Sequence, residues 1–188
     1  MLGDLENELI ATLKASELGK RLKTIGSLPD VPDKDLITRW GVEAPAAYVV
    51  SLDGSLMPDR GKALAPFSIV LVARNARGHD AARHGDGRVI GLYEMVDAGI
   101  ALFNEARTAS GLWYVTGYQF LQLTELRERG LYVALLALQT QCDTPTPATT
   151  DLADFDHLYA NWKVVPDAEQ DGKPLAEALI HLNPEDAP

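Results

Sequence analysis

An α+β fold, built on an antiparallel or mixed sheet of about four strands with two helices on one face, is what this sequence predicts. Two stretches repeat apolar residues at helical spacing, and each is followed by a pair of strand-like runs. The 188 residues suffice for one ordinary domain with a real core and an appendage, but not for two comfortable domains. The run Leu131–Leu138 is apolar throughout, as a strand buried on both faces would be.

The elements follow in order. Leu2, Leu5, Leu9 and Leu13 stand at helical spacing, with Asp4 and Glu6 early, Lys14 late and Gly19 available to end the helix. Thr24–Ser27 reads as a short strand, and Leu28 to Pro45 as a long Pro- and Asp-rich connection that Trp40 anchors by packing inward. Ala46–Leu52 and Ala65–Arg74 read as one hairpin, with Asp53-Gly54 as its turn signal. Residues 75–88 carry no periodic apolar signal and are expected to form an exposed loop. Val89, Leu92, Tyr93, Val96, Ile100 and Phe103 then make the most regular helical stripe in the chain, with Asp86 placed to cap its start and Gly111 beyond its end. Leu112–Leu123 and Leu131–Thr140 read as a second hairpin across the charged stretch that holds Glu125, Arg127, Glu128 and Arg129. Helices on one face leave the other face in need of cover, and a neighbouring subunit is one source of it.

Cys142 is followed by Asp-Thr-Pro-Thr-Pro-Ala-Thr-Thr, which cannot continue a ladder. The expected organisation is a domain over 1–142, a linker over 143–150 and an extension over 151–188. Leu152, Phe155, Leu158, Tyr159 and Trp162 are too much apolar surface for a free tail, so the extension is expected to dock.

Twenty-seven acidic residues against 17 basic ones give a formal charge of −10, which argues against a general nucleic-acid binder and against anionic membranes. A single cysteine cannot form an internal bridge, and the start Met-Leu-Gly-Asp-Leu-Glu lacks the basic and apolar pattern of a secretory signal. The expected compartment is the cytoplasm. No stretch approaches the roughly 20 continuous apolar residues of a membrane-spanning helix.

Candidate chemistry is sparse. His79, Asp80, His84 and Asp86 are ligand types for a divalent metal, and a small metal-dependent enzyme using this loop is one reading. Their spacing is not a helical i, i+4 pair of histidines, and a Gly-rich loop would have to be ordered by the ion, so a solvated loop is the better reading. Arg74, Arg77, Arg83 and Arg88 make the same region locally basic on an acidic chain, which suits an acidic partner surface. Gly85, Gly87 and Gly91 are spaced G-x-G-x-x-x-G and sit far from the preceding strand, so they read as turn and packing glycines, not as a dinucleotide loop. Glu94 and Asp97 lie at i, i+3 on a polar helix side, and Cys142 has no histidine near it in sequence. Trp113, Tyr114, Tyr118 and Phe120 lie in a stretch without Lys or Arg, so core or subunit interface is preferred to base stacking. The residues therefore nominate no catalytic group, no metal ligand and no cofactor.

The N-terminal Leu-Glu-Asn-Glu-Leu-Ile-Ala-Thr-Leu-Lys helix, the Pro-Ala-Ala-Tyr-Val-Val strand, the strand ending Val-Leu-Val-Ala-Arg-Asn-Ala-Arg and the Gly-Leu-Tyr-Glu-Met-Val helix resemble the small tail-gene family of Mu-like phages and prophages. The resemblance spans about residues 1–142. It implies a tail-terminator-like fold and a virion structural subunit of the tail, assembled in the bacterial cytoplasm into a homo-oligomeric ring, typically a hexamer. The implied partners are other copies of the chain, the tail tube protein and a neck or head-completion protein, with no specific nucleic acid and no membrane. A neck or head-completion adaptor is the alternative within the same class.

Overall fold

The leucine stripe at the start of the chain forms α1 (Leu2–Ala15), which buries Leu5, Leu9 and Leu13. Ser16 and not Gly19 ends it: the Ser16 hydroxyl accepts the Gly19 N–H at 3.0 Å and so caps α2 (Glu17–Arg21). Gly19 lies inside α2, where a Cβ would stand 2.0 Å from the Leu13 carbonyl oxygen. Its role is close approach between the two helices.

The computed structural model describes residues 1–29, 33–57, 61–145, 157–162 and 176–181. The chain divides into two compact units, Met1–Thr144 and Pro145–Pro188. In the first, α1 and α2 are followed by β1 (Thr24–Ser27), α3 (Asp33–Glu43), β2 (Ala46–Ser51), β3 (Ser55–Met57), β4 (Lys62–Arg74) and α4 (His79–His84). Then come α5 (Leu92–Phe103), β5 (Ala106–Thr108), β6 (Gly111–Leu121), α6 (Thr124–Glu128) and β7 (Leu131–Asp143). In the second unit, β8 (His157–Trp162) and β9 (Ala176–His181) pair antiparallel, from His157 opposite His181 to Trp162 opposite Ala176. The predicted docking of the extension and most of the predicted linker fall outside the described residues.

The sheet has seven strands, in the order β1-β2-β4-β7-β6-β5 with β3 also beside β4, where about four were expected. The expected four are its centre, and the additions, β1, β3 and β5, are only three or four residues long. β1 runs parallel to β2 while the other pairs are antiparallel, so the sheet is mixed. Its backbone is the ladder between β4 and β7, continuous from Lys62 opposite Asp143 to Arg74 opposite Leu131.

Both sheet faces carry core. On the first, Phe67, Ile69 and Leu71 of β4 and Ala134, Leu136 and Leu138 of β7 lie under the apolar stripes of α1 and α5. Trp113 closes this core, edge-on to Phe67 with 5.7 Å between ring centroids, and donates its indole N–H to the Thr108 hydroxyl at 3.1 Å. On the second, Tyr48, Val70, Val72, Leu131 and Val133 pack with Ile37 and Trp40 of α3 and Leu126 of α6.

That second layer corrects two expectations. Residues 33–43 form a helix where a Pro- and Asp-rich connection was predicted, and with α6 this helix covers one end of the second face, so helices lie on both faces of the sheet and not on one. The signal was short: Ile37 and Trp40 are a single i, i+3 pair, preceded by Pro29 and Pro32. Prolines before a helix start are compatible with it, since no intrahelical N–H is lost. Trp40 is buried as predicted, stacked on Tyr48 at 6.5 Å, but from a helix. Beneath it Tyr48 donates to the Glu43 carboxylate, which also takes Arg39 Nε at 2.7 Å. Burial and that carboxylate push the Tyr48 phenol far above its ordinary value.

Candidate partner interface

The 75–91 segment is more ordered than an exposed loop. The Asn75 side chain accepts the Arg77 N–H at 2.9 Å, and α4 follows with Ala82 buried beneath it. The Asp86 carboxylate then accepts the N–H groups of Val89 at 2.8 Å and Arg88 at 2.9 Å. Those donors, Val89 first, hold Asp86 down to about 2, with the Asn75 side chain and Arg77 adding to the effect. Asp86 thus secures a turn ahead of α5, whose N-cap is Gly91, and does not cap the helix itself. A Cβ on Gly91 would lie 2.1 Å from the Gly85 nitrogen and 2.4 Å from the His84 carbonyl carbon, so this glycine lets two backbone segments touch.

α4 and this turn place an aromatic series along one side of α5. His84 is edge-on to Tyr93 at 5.0 Å, Tyr93 to Phe120 at 5.5 Å, and Phe120 to Tyr118 at 5.6 Å. His79 meets Tyr132 with its Nδ1 2.9 Å from the phenol oxygen. Between α4, the start of α5, the end of β6, α6 and the start of β7 lies a groove of about 620 Å³. Its rings are Tyr93, Phe120 and Tyr132, and its polar groups include His79, Arg83, Gln122, Arg127 and Glu128. Arg127 donates to the Gln122 side-chain oxygen at 2.9 Å, while Arg83 reaches Asp80 at 3.2 Å and keeps its Nε buried without a hydrogen-bond partner. An arene-walled groove with two guanidinium groups suits an acidic ligand that also carries a ring.

The four arginines singled out from the sequence occupy different places. Arg74 ends β4 and donates to the Gly41 carbonyl at 2.5 Å, joining that strand to α3. Arg77 pairs with Asp86 at 3.4 Å, and Arg83 lines the groove. Arg88 is exposed and forms no salt bridge among the described residues. Arg127, Tyr93 and Tyr132 complete the groove but were not singled out as a set, because they come from three segments whose convergence needs the strand order.

The suggested metal ligands are likewise divided. His79 serves Tyr132, Asp80 pairs with Arg83 and lies 3.7 Å from the Nε2 of His84, whose ring leans on Tyr93, and Asp86 holds its turn. Among the described residues, no group of three or more His, Cys, Asp or Glu side chains is arranged to hold a metal ion. Glu94 pairs with Arg21 at 2.9 Å, and Cys142 sits near the end of β7, its thiol 3.8 Å from the Ala63 carbonyl.

A mixed seven-stranded sheet with helices on both faces defines a small α+β domain. The family model described as Bacteriophage Mu, Gp37 matches residues 1–137, nearly all of the first unit, and the chain belongs to that family. It is a Mu-like phage protein, in keeping with the resemblance carried by its helix and strand sequences. No curated protein matches it. No helix among the described residues is long and apolar enough to cross a membrane.

Proposed function

We propose that this chain is a phage structural subunit that acts as the tail terminator. Copies of it form a homo-oligomeric ring, a hexamer, on the finished tail tube; the ring ends tube polymerisation and presents its other surface to the neck or head-completion protein. Family membership over residues 1–137 is the observation that carries this reading.

Two features of the subunit support it. β5 pairs only with Gly111–Trp113, so the outer edge of β6 from Tyr114 to Leu121 has no strand beside it among the described residues. An edge of that length invites pairing, and a closed ring removes such edges. Beyond α3, the second sheet face presents Leu64, Pro66 and Ala137 half-buried and Tyr114 exposed. Such a surface is suited to burial against another subunit.

The test is electron microscopy of particles from a phage lacking this gene. Overlong tails without heads are expected. Tails of normal length that fail to join heads would reassign the chain to a neck or head-completion adaptor, and intact particles would overturn a structural role.

A further inference from the structure

We propose that the sheet continues from copy to copy: the free edge of β6 in one subunit pairs, antiparallel, with the free edge of β1 in the next. The proposal rests on the ring reading above and names the contact that builds the ring.

Both ends of the sheet are open, and neither is well protected against pairing. Among the described residues, β1 has a strand on one side only, β2, and β6 beyond Trp113 has only β7. Edge strands that stay single are generally blunted by charge, by Pro or by a bulge. Thr24–Ser27 and Tyr114–Leu121 hold no charged residue and no Pro, in a chain whose formal charge is −10. The bulge between Val115 and Gly117 is such a device, yet it leaves Gly117–Leu121 in unbroken register.

Each edge also holds a glycine that the subunit itself does not explain. A Cβ on Gly26 of β1 or on Gly117 of β6 would stand in open space, and neither residue has a positive φ. A glycine inside a strand weakens it, and it often marks a place where another backbone comes close. Gly26 pairs with Tyr48 and Gly117 with Ala137, so both bare the second, partly covered face beside the edge that a neighbour would join.

Strand direction sets the polarity of the joint. β1 and β7 run one way and β6 the other. A rotation about an axis along the strands preserves direction, so β6 of one copy meets β1 of the next antiparallel, the commoner pairing. Followed across the ladders, Thr24 stands level with Leu121 and Ser27 with Tyr118, which sets four residues against four, clear of the bulge. Ser27 and Tyr118 lie on the same face, that of Val49 and Leu136, so both faces run on across the joint. Four pairs are a weak ladder alone, but in a closed ring every copy is held on two sides. Pairing of β6 with itself about a two-fold axis would leave β1 open and close no ring.

The experiment uses the full-length chain carrying Cys142→Ser, Ser27→Cys and Tyr118→Cys, treated with a short bismaleimide and run on a denaturing gel. A ladder of linked species is expected, well above what either new cysteine gives alone. Strong dimers from the Tyr118→Cys chain alone would show β6 paired with itself and overturn the proposal, as would the absence of a ladder at millimolar protein. In sedimentation, Tyr118→Lys/Gln119→Lys alters two exposed side chains on the β6 edge. Association should weaken about tenfold or more with an unchanged circular dichroism spectrum. Association as strong as that of the parent overturns the contact. A chain that sediments as a ring but gives no ladder loses this contact alone, whereas normal tails in the deletion phage overturn the terminator role.

Discussion

On one face of the sheet, α1 and α5 lay continuous apolar stripes over Phe67, Ile69, Leu71 and Leu136; on the other, α3 and α6 cover only the end bearing Tyr48, Val72 and Val133. The first face is complete in itself. The second is a compromise, stable at one end and available at the other. Its cover also satisfies fewer polar groups, for the Trp40 indole N–H has no partner whereas that of Trp113 has Thr108. One sheet thus carries a fully covered face and a partly covered one.

Three measurements would break or sharpen this contrast. Trp113→Ala should cost about 4 kcal/mol in denaturant unfolding, and Trp40→Ala about 2–3 kcal/mol, because the latter removes no satisfied N–H and lies at the sheet's end. Equal losses would mean that the second face is as fully built as the first. Gly91→Ala should cost about 2 kcal/mol by forcing apart the backbones of Gly85 and Gly91. A variant as stable as the parent would mean that this turn yields readily.

The smallest effect is that of pH. The folded Asp86 carboxyl, near 2, titrates below its ordinary range near 4, so the ionised form is favoured by the fold. Its contribution is complete above about pH 4 and is lost as pH falls towards 2. The Arg88 and Val89 amide resonances should move in that window, and in Asp86→Asn they should not.

The sequence revealed what periodicity writes in full. α1 and α5 each repeat their apolar residues over three turns or more, and β2, β4, β6 and β7 are long β-rich runs, so these elements were legible. α3 was not, because two well-buried side chains, Ile37 and Trp40, do most of its packing, and tertiary contact decided a segment that local pattern left ambiguous. α4 is a six-residue helix in a polar stretch, too short to carry a stripe. β3 and β5 exist because a longer strand lies beside them. Arg83 was singled out for its charge alone. Its groove was illegible, since Phe120, Arg127 and Tyr132 meet it only through the pairing of β6 with β7 and the position of α6 between them.

The ladder between β4 and β7 bears on how the chain comes off the ribosome. Lys62 pairs with Asp143 and Arg74 with Leu131, so α4, α5, β5, β6 and α6 all lie in the loop that the ladder closes. The central ladder cannot begin until residue 131 is made nor finish before residue 143, and the β2–β4 hairpin must wait with one apolar edge open. Non-local pairing of this kind is slow, and an unpaired edge is where nascent chains stick to one another. The chain therefore passes its most aggregation-prone interval on the ribosome, while β4 still lacks β7.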